Sequence, residues 1–329
     1  MKISTQFFFY CLVFSGLFSC ANAQKKTQEN QPIKIEQKEV TRIITTLAAD
    51  DMMGRKAGTE GEKKAAAFIR SEFKKAGLQS PKGQGIKDFY QTFPYKKQEM
   101  LNVIGILPGK SKNKKTRDEI VVFSAHYDHL GVRRGAKGDS IANGADDDAS
   151  GVTAVISLAY YFKALNNNER TLMFVAFTAE EIGLVGSRHF GKQFSKKELK
   201  QFVAGINIEM VGKPSKFGRK GAFITGYKRS DLGKILQKNA QGTGFTFYPD
   251  PYIGYNLFRR SDNYALAQHG IPSHTISSVD IANDKHYHQV SDEVSTLDLQ
   301  NLTEMIEAVA LGVRGIVGGK DTPTRVKIK

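Results

Sequence analysis

The chain has 329 residues, 48 of them Lys or Arg against 33 Asp or Glu, which leaves a net charge of +15, and 40% of the residues are hydrophobic. That length excludes a small stapled scaffold and suits one large α/β domain; the two cysteines, Cys11 and Cys20, lie in or beside the first apolar run, which excludes a disulfide framework in the mature chain. The basic residues fall in small groups in loop-like stretches, and no helical pattern carries a basic face with interleaved aromatics, which argues against a nucleic-acid partner.

Residues 7–18 form an apolar run too short for a membrane span and of the right length for a signal-peptide core, so export to the periplasm, to the outer membrane or beyond the cell is expected. Two processing signals overlap at its end. The segment 17–20, Leu-Phe-Ser-Cys, resembles a lipobox that would leave Cys20 acylated and membrane-attached, while Ala21-Asn22-Ala23 fits cleavage before Gln24. Residues 1–23 thus read as a signal, 24–35 as a polar linker, 36–317 as one α/β domain and 318–329 as a polar, frayed tail.

Within the domain, Val40, Ile43, Ile44 and Leu47 have helical spacing. Thr59 and Glu62 read as a capping box before a helix that Gly77 ends. Strands are expected at 89–95, 102–107 and 120–124, then a helix over 152–165 and a continuous apolar strand over 171–177. Residues 202–208 form another buried strand. A further strand over 221–227, a helix over 231–240, an irregular loop over 243–260, a short helix from Ser261, a strand over 273–277 and a last helix over 297–316 complete the pattern. The alternation argues a mixed, mostly parallel central β-sheet flanked by helices, whose sites lie at the carboxyl ends of strands.

The chemistry gathers at those ends. Residues 120–123 lead into His126 and Asp128, and a Gly-rich loop then brings Asp146, Asp147 and Asp148 to the start of a helix. Three adjacent carboxylates beside an apolar strand cost several kcal/mol unless a cation or hydrogen bonds compensate. A solvated helix cap is the plainer reading of one such Asp. With His-x-Asp just upstream, imidazole plus carboxylate oxygens make a zinc-type ligand set. Asp128, two residues beyond His126 in an extended segment, can accept the other ring N–H. Glu180 and Glu181 follow the 171–177 strand and could divide metal binding and proton transfer between them.

The blocks 126–128 (His-Tyr-Asp), 144–151 (Gly-Ala-Asp-Asp-Asp-Ala-Ser-Gly), 178–183 (Thr-Ala-Glu-Glu-Ile-Gly), 206–212 (Ile-Asn-Ile-Glu-Met-Val-Gly) and 284–292 resemble, in order, the signature blocks of the M28 zinc peptidases. Segments 54–59 and 260–264 extend the likeness to roughly residues 36–316. The resemblance implies the zinc-dependent exopeptidase fold and an exported aminopeptidase that hydrolyses N-terminal residues from peptides, with two Zn2+ bridged by Asp146 and a water or hydroxide. His126 and Glu209 would complete one site, and Glu181 and His288 the other. It further implies Glu180 as general base, Asp128 as the partner of His126, Tyr287 as an oxyanion donor, and a cis peptide between Asp146 and Asp147. Many members carry Asp where this chain has Glu209. Spacing leaves His286 and His288 open as the last ligand, and the family pattern favours His288; His129, His189, His269 and His274 read as non-ligands. The family also contains one-zinc glutaminyl cyclases, against which the absence of Trp counts, and inactive surface-binding relatives, against which the full ligand set counts.

Overall fold

The computed structural model describes residues 34–133 and 138–328. The signal segment, Cys20, the cleavage before Gln24 and all but the end of the linker lie outside the described residues. Helix α1 (Gln37–Leu47) buries Val40, Ile43, Ile44 and Leu47, the one-sided stripe that lets a helix lie on a sheet. A tight turn over Asp50–Arg55 leads to α2 (Glu60–Lys75).

The expected capping box does not form there. Thr59 spends its hydroxyl on the Lys56 carbonyl, and Glu62, 1% exposed, turns inward. Its carboxylate accepts the Gly58 amide at 2.5 Å and the Tyr127 hydroxyl at 3.3 Å, and meets the Thr178 hydroxyl as well. A buried acid with three donors is better satisfied than one at a solvated cap.

Antiparallel strands β1 (Ile86–Lys87), β2 (Tyr90–Tyr95) and β3 (Gln98–Leu107) form one wing of the sheet. After the short α3 (Lys114–Asp118) comes β4 (Ile120–His126), followed by the small hairpin of β5 (Gly131–Val132) and β6 (Ile141–Ala142). Helix α4 (Gly151–Leu165) crosses over to β7 (Thr171–Phe177), and α5 (Val185–Lys192) with α6 (Lys196–Leu199) leads back to β8 (Phe202–Ile208). The remainder is β9 (Gly221–Ile224), α7 (Leu232–Asn239), β10 (Thr246–Pro249), α8 (Asn263–Ala267), β11 (Ser273–Ser277), α9 (Leu299–Gly312) and α10 (Arg314–Val317).

The main sheet runs β1-β2-β3-β7-β4-β8-β11-β9-β10. Its centre, β7-β4-β8-β11, is parallel, and antiparallel pairs join the centre to both wings. Alternation along the strands explains why both faces are covered. On β7, Leu172, Phe174 and Ala176 enter one apolar cluster with α1, α2, α4 and α9, while Met173, Val175 and Phe177 enter another with α5 and α8. The chain leaves β4 toward β7 on one side and leaves β8 toward β9 on the other. The crevice between the carboxyl ends of β4 and β8 is therefore the topological switch point, where open α/β sheets bind ligands.

Two expectations fail at the periphery. The 243–260 stretch is not wholly irregular: Thr246–Pro249 is the edge strand β10, paired parallel with β9. The expected frayed tail packs down over its described residues 318–328, because the 2%-exposed Arg170 binds the Asp321 carbonyl at 2.6 Å and the Thr322 hydroxyl at 2.5 Å, and Val326 is buried with its amide on the Gly270 carbonyl at 3.1 Å. Among the described residues no helix is long and apolar enough to cross a membrane.

Candidate metal centre

His126 ends β4, Glu180 and Glu181 follow β7, and Glu209 follows β8, so three strand ends deliver side chains to the switch point. The triple aspartate enters from the turn before α4. Its three carboxylates go to different places. Asp146 Oδ1 accepts the Gly212 amide at 2.8 Å, and Lys213 Nζ lies 3.5 Å from Asp146 Oδ2. Asp148 Oδ1 accepts the Gly151 and Met210 amides at 3.0 and 3.1 Å. Asp147 alone faces the histidines: Oδ1 is 3.2 Å from His126 Nε2, and Oδ2 is 3.2 Å from His288 Nε2.

This corrects the expected bridge. Asp146 is turned away from the imidazoles by donors in the segment after β8, and Asp147 holds the position assigned to it. The cis peptide likewise lies between Asp147 and Asp148, one residue later than expected. Asp292 braces the turn by accepting the amides of Asp146 at 3.1 Å and Asp147 at 3.0 Å.

Two ligand sets share Asp147. His126, Asp147 and Glu209 bring one donor atom each within 4.8 Å of one another, and so do His129, Asp147 and Glu181. His288 joins the second set, its Nε2 being 3.2 Å from Glu181 Oε2. His286 instead faces Ser291, with Nδ1 and the hydroxyl 3.0 Å apart. His189 stacks on Phe93, and His274 lies against the Thr225 carbonyl. His129, read from sequence as a non-ligand, is in the cluster: its Nδ1 is 2.9 Å from Glu181 Oε1.

Asp128 acts differently from its expected role. The nearest partner of His126 Nδ1 is the Asp128 backbone carbonyl at 3.1 Å, whereas the carboxylate is 3.8 Å away and accepts the amides of Glu180 at 3.0 Å and Glu181 at 3.3 Å. Asp128 thus fixes the glutamate pair, and its backbone fixes the imidazole. Tyr287 lines the same cavity and stacks on His288 with ring centres 4.0 Å apart.

Burial dominates the electrostatics. It pushes Asp128 up to about 8, Glu209 up to about 7 and Asp146 up to about 6, the last opposed by Lys213. Glu180 is raised well above the ordinary carboxylate range by burial, against the pull of His126. For Asp147 burial acts upward too, but His126 and His288 outweigh it and hold the carboxyl well down. Burial opposes protonation of His126, yet the carboxylates around it raise its pKa well above the ordinary value; His288 is raised to about 10 by Asp147 and Glu181.

One buried cation sits beneath these acids. Arg55, which is fully buried, donates to the carbonyls of Leu47, Tyr127, Asn143 and Gly144 at 2.6–2.9 Å and so ties together both ends of the loop that carries the cluster. The 54–59 block flagged this residue's neighbourhood, and no rule of spacing assigned it a role.

The donor chemistry fits divalent metal. Within the cluster, His129 Nε2 is buried without a hydrogen-bond partner, and Asp147 Oδ2 is buried with no neighbour of hydrogen-bonding geometry besides the 3.2 Å approach of His288, an arrangement that buried polar atoms avoid unless something else satisfies them. Imidazole nitrogens and carboxylate oxygens converging at such distances are the ligand types of zinc.

The sequence pattern of peptidase family M28 matches residues 102–313, and the chain belongs to that family. Aminopeptidase YwaD of Bacillus subtilis (strain 168) is 37% identical over 115 residues, 35% of this chain. The chain spans 22% of that relative's length and 58% of the length of each of the next two curated relatives it matches, both named probable leucine aminopeptidase. A zinc aminopeptidase from Bacillus subtilis has the same fold, with TM-score 0.70 at 18% identity over 91% of this chain and 100% of that one. A glutaminyl cyclase from Porphyromonas gingivalis shares it too, with TM-score 0.64 at 17% identity over 86% of this chain and 99% of that one.

Proposed function

We propose that this protein is an exported di-zinc aminopeptidase that removes N-terminal residues from peptides. The observation that carries the reading is the convergence of two imidazole–carboxylate sets on the single residue Asp147. His126, Asp147 and Glu209 would hold one ion, and Asp147, Glu181 and His288 the other, with His129 steadying Glu181. When bound, zinc would polarise the scissile carbonyl and lower the pKa of the attacking water.

The remaining work falls to the chain's own groups. Glu180 lines the cavity with its pKa raised by burial, which suits a base that takes a proton from water and returns it to the leaving amine. Tyr287 has its hydroxyl pKa raised, chiefly by burial, so it remains a donor over the working range and can meet the negative oxygen that develops on the substrate. Met210, Phe223, Leu257 and Val279 form an apolar wall of the cavity against which the N-terminal side chain can lie.

Zinc content and hydrolysis of leucine p-nitroanilide, measured together, test the assignment. Glu180→Gln is expected to keep two zinc ions and to lose about a thousandfold or more in kcat; near-wild-type turnover would overturn the base assignment. One tight zinc with cyclisation of N-terminal glutamine would replace the peptidase reading by that of a cyclase. Export and acylation of Cys20 rest on the N-terminal sequence. Labelled palmitate should enter the wild type and not Cys20→Ala, and equal labelling of the two would exclude the lipoprotein form.

A further inference from the structure

The cavity that holds Asp147, Glu180, Glu181 and Glu209 also has one arginine in its wall, Arg260. Its backbone is well anchored. The neighbouring Ser261 hydroxyl accepts from Asn207 at 2.7 Å, and Asn263 donates to the Phe258 carbonyl at 3.1 Å. The guanidinium is exposed and makes no ion pair among the described residues; its hydrogen bond is a 3.4 Å contact with the Tyr287 hydroxyl. An unneutralised guanidinium on an anchored backbone segment, in the wall of a cavity that also holds four acids, is arranged to meet an anion brought in from outside.

Reach admits the carboxylate nearest the cleaved bond. Tyr287 is the group proposed above to meet the scissile carbonyl, and successive residues of a peptide are about 3.8 Å apart. A guanidinium nitrogen 3.4 Å from the Tyr287 hydroxyl is therefore within reach of the α-carboxylate of the residue just after the cleaved bond. Arginine matches a carboxylate with two parallel donors.

We propose that Arg260 binds the C-terminal carboxylate of dipeptides, making the chain a dipeptide-preferring enzyme. The proposal rests on the aminopeptidase reading. It extends that reading from the N-terminal side of the cleaved bond, where the metals and the apolar wall act, to the C-terminal side.

The test compares Leu-Gly, Leu-Gly amide and Leu-Gly-Gly on the zinc-loaded full protein. Wild type should favour Leu-Gly over its amide by about tenfold in kcat/KM, a typical worth for a partly hydrated charge-assisted pair, with the difference mainly in KM. Leu-Gly-Gly, whose carboxylate is displaced by a residue, should resemble the amide. In Arg260→Gln the acid and amide should be cleaved at similar kcat/KM, and Arg260→Lys should restore part of the preference. Hydrolysis of both forms with no preference in the wild type, or an equal loss for acid and amide in Arg260→Gln, would overturn the inference while leaving the aminopeptidase reading intact. Hydrolysis of none of the three would overturn both.

Discussion

Asp147 is chemically identical to its two neighbours, and only its partners set it apart. Asp146 and Asp148 are held by the amides of Gly212, Gly151 and Met210, so neither carboxylate is free to turn toward His126 and His288. Asp147→Asn should therefore lower bound zinc and abolish turnover, because the residue serves both ligand sets. Asp146→Asn keeps an oxygen for the Gly212 amide and should retain two zinc ions, with stability changed by about 1–2 kcal/mol through the loss of its charge beside Lys213. Metal analysis of the two variants checks the assignment, and the opposite pattern would restore Asp146 as the bridge. The family resemblance put the bridge on Asp146, and the residues alone did not rank the three aspartates, since two of the deciding amides, those of Gly212 and Met210, lie 66 and 62 residues away in the chain.

Among the elements, strands whose ends carry the site were legible because they are buried on both faces and read as unbroken apolar runs, as at Thr171–Phe177 and Phe202–Ile208. The edge strand Thr246–Pro249 was not, because it is short, ends in Pro and follows a Gly-rich turn. The C-terminal tail was misread for a related reason: its polar residues are fastened by partners that composition does not reveal. Arg170 loses the Asp321 carbonyl and the Thr322 hydroxyl if the chain stops at Val317, and a nearly buried guanidinium is then left short of acceptors. We expect truncation after Val317 to destabilise the fold by about 3 kcal/mol, measured by urea denaturation. An unchanged midpoint would mean the tail is frayed in solution.

At the scale of the whole molecule, acid sensitivity includes a contribution from His274, which is not among the clustered ligand groups. It is 1% exposed, lies against the Thr225 carbonyl and the Ser230 hydroxyl, and has its pKa lowered to about 4 by burial, with the nearby Arg229 adding to the shift. The folded value lies below the unfolded 6.5, so the unfolded chain binds the extra proton between those two pH values. This contribution to stability is complete above pH 6.5, declines as the pH falls, and is gone by about pH 4, a loss on the order of 3 kcal/mol. His274→Gln should flatten the fall in unfolding free energy across that window by about one proton; parallel curves for variant and wild type would exclude His274 as the cause.

The sequence by itself determined the class of protein. Buried strands, glycine-rich turns and acids at strand ends prescribe an α/β sheet with a metal-type site, because hydrophobic period and the cost of burying charge are properties of short stretches. Tertiary structure alone decided which aspartate faces the histidines, that His129 joins the cluster, that Asp128 holds the glutamate pair through their amides, and that Arg55 braces the loop from below. Each of those outcomes depends on which backbone donors and acceptors from distant segments reach a side chain first, and that competition exists only once the sheet has brought the segments together.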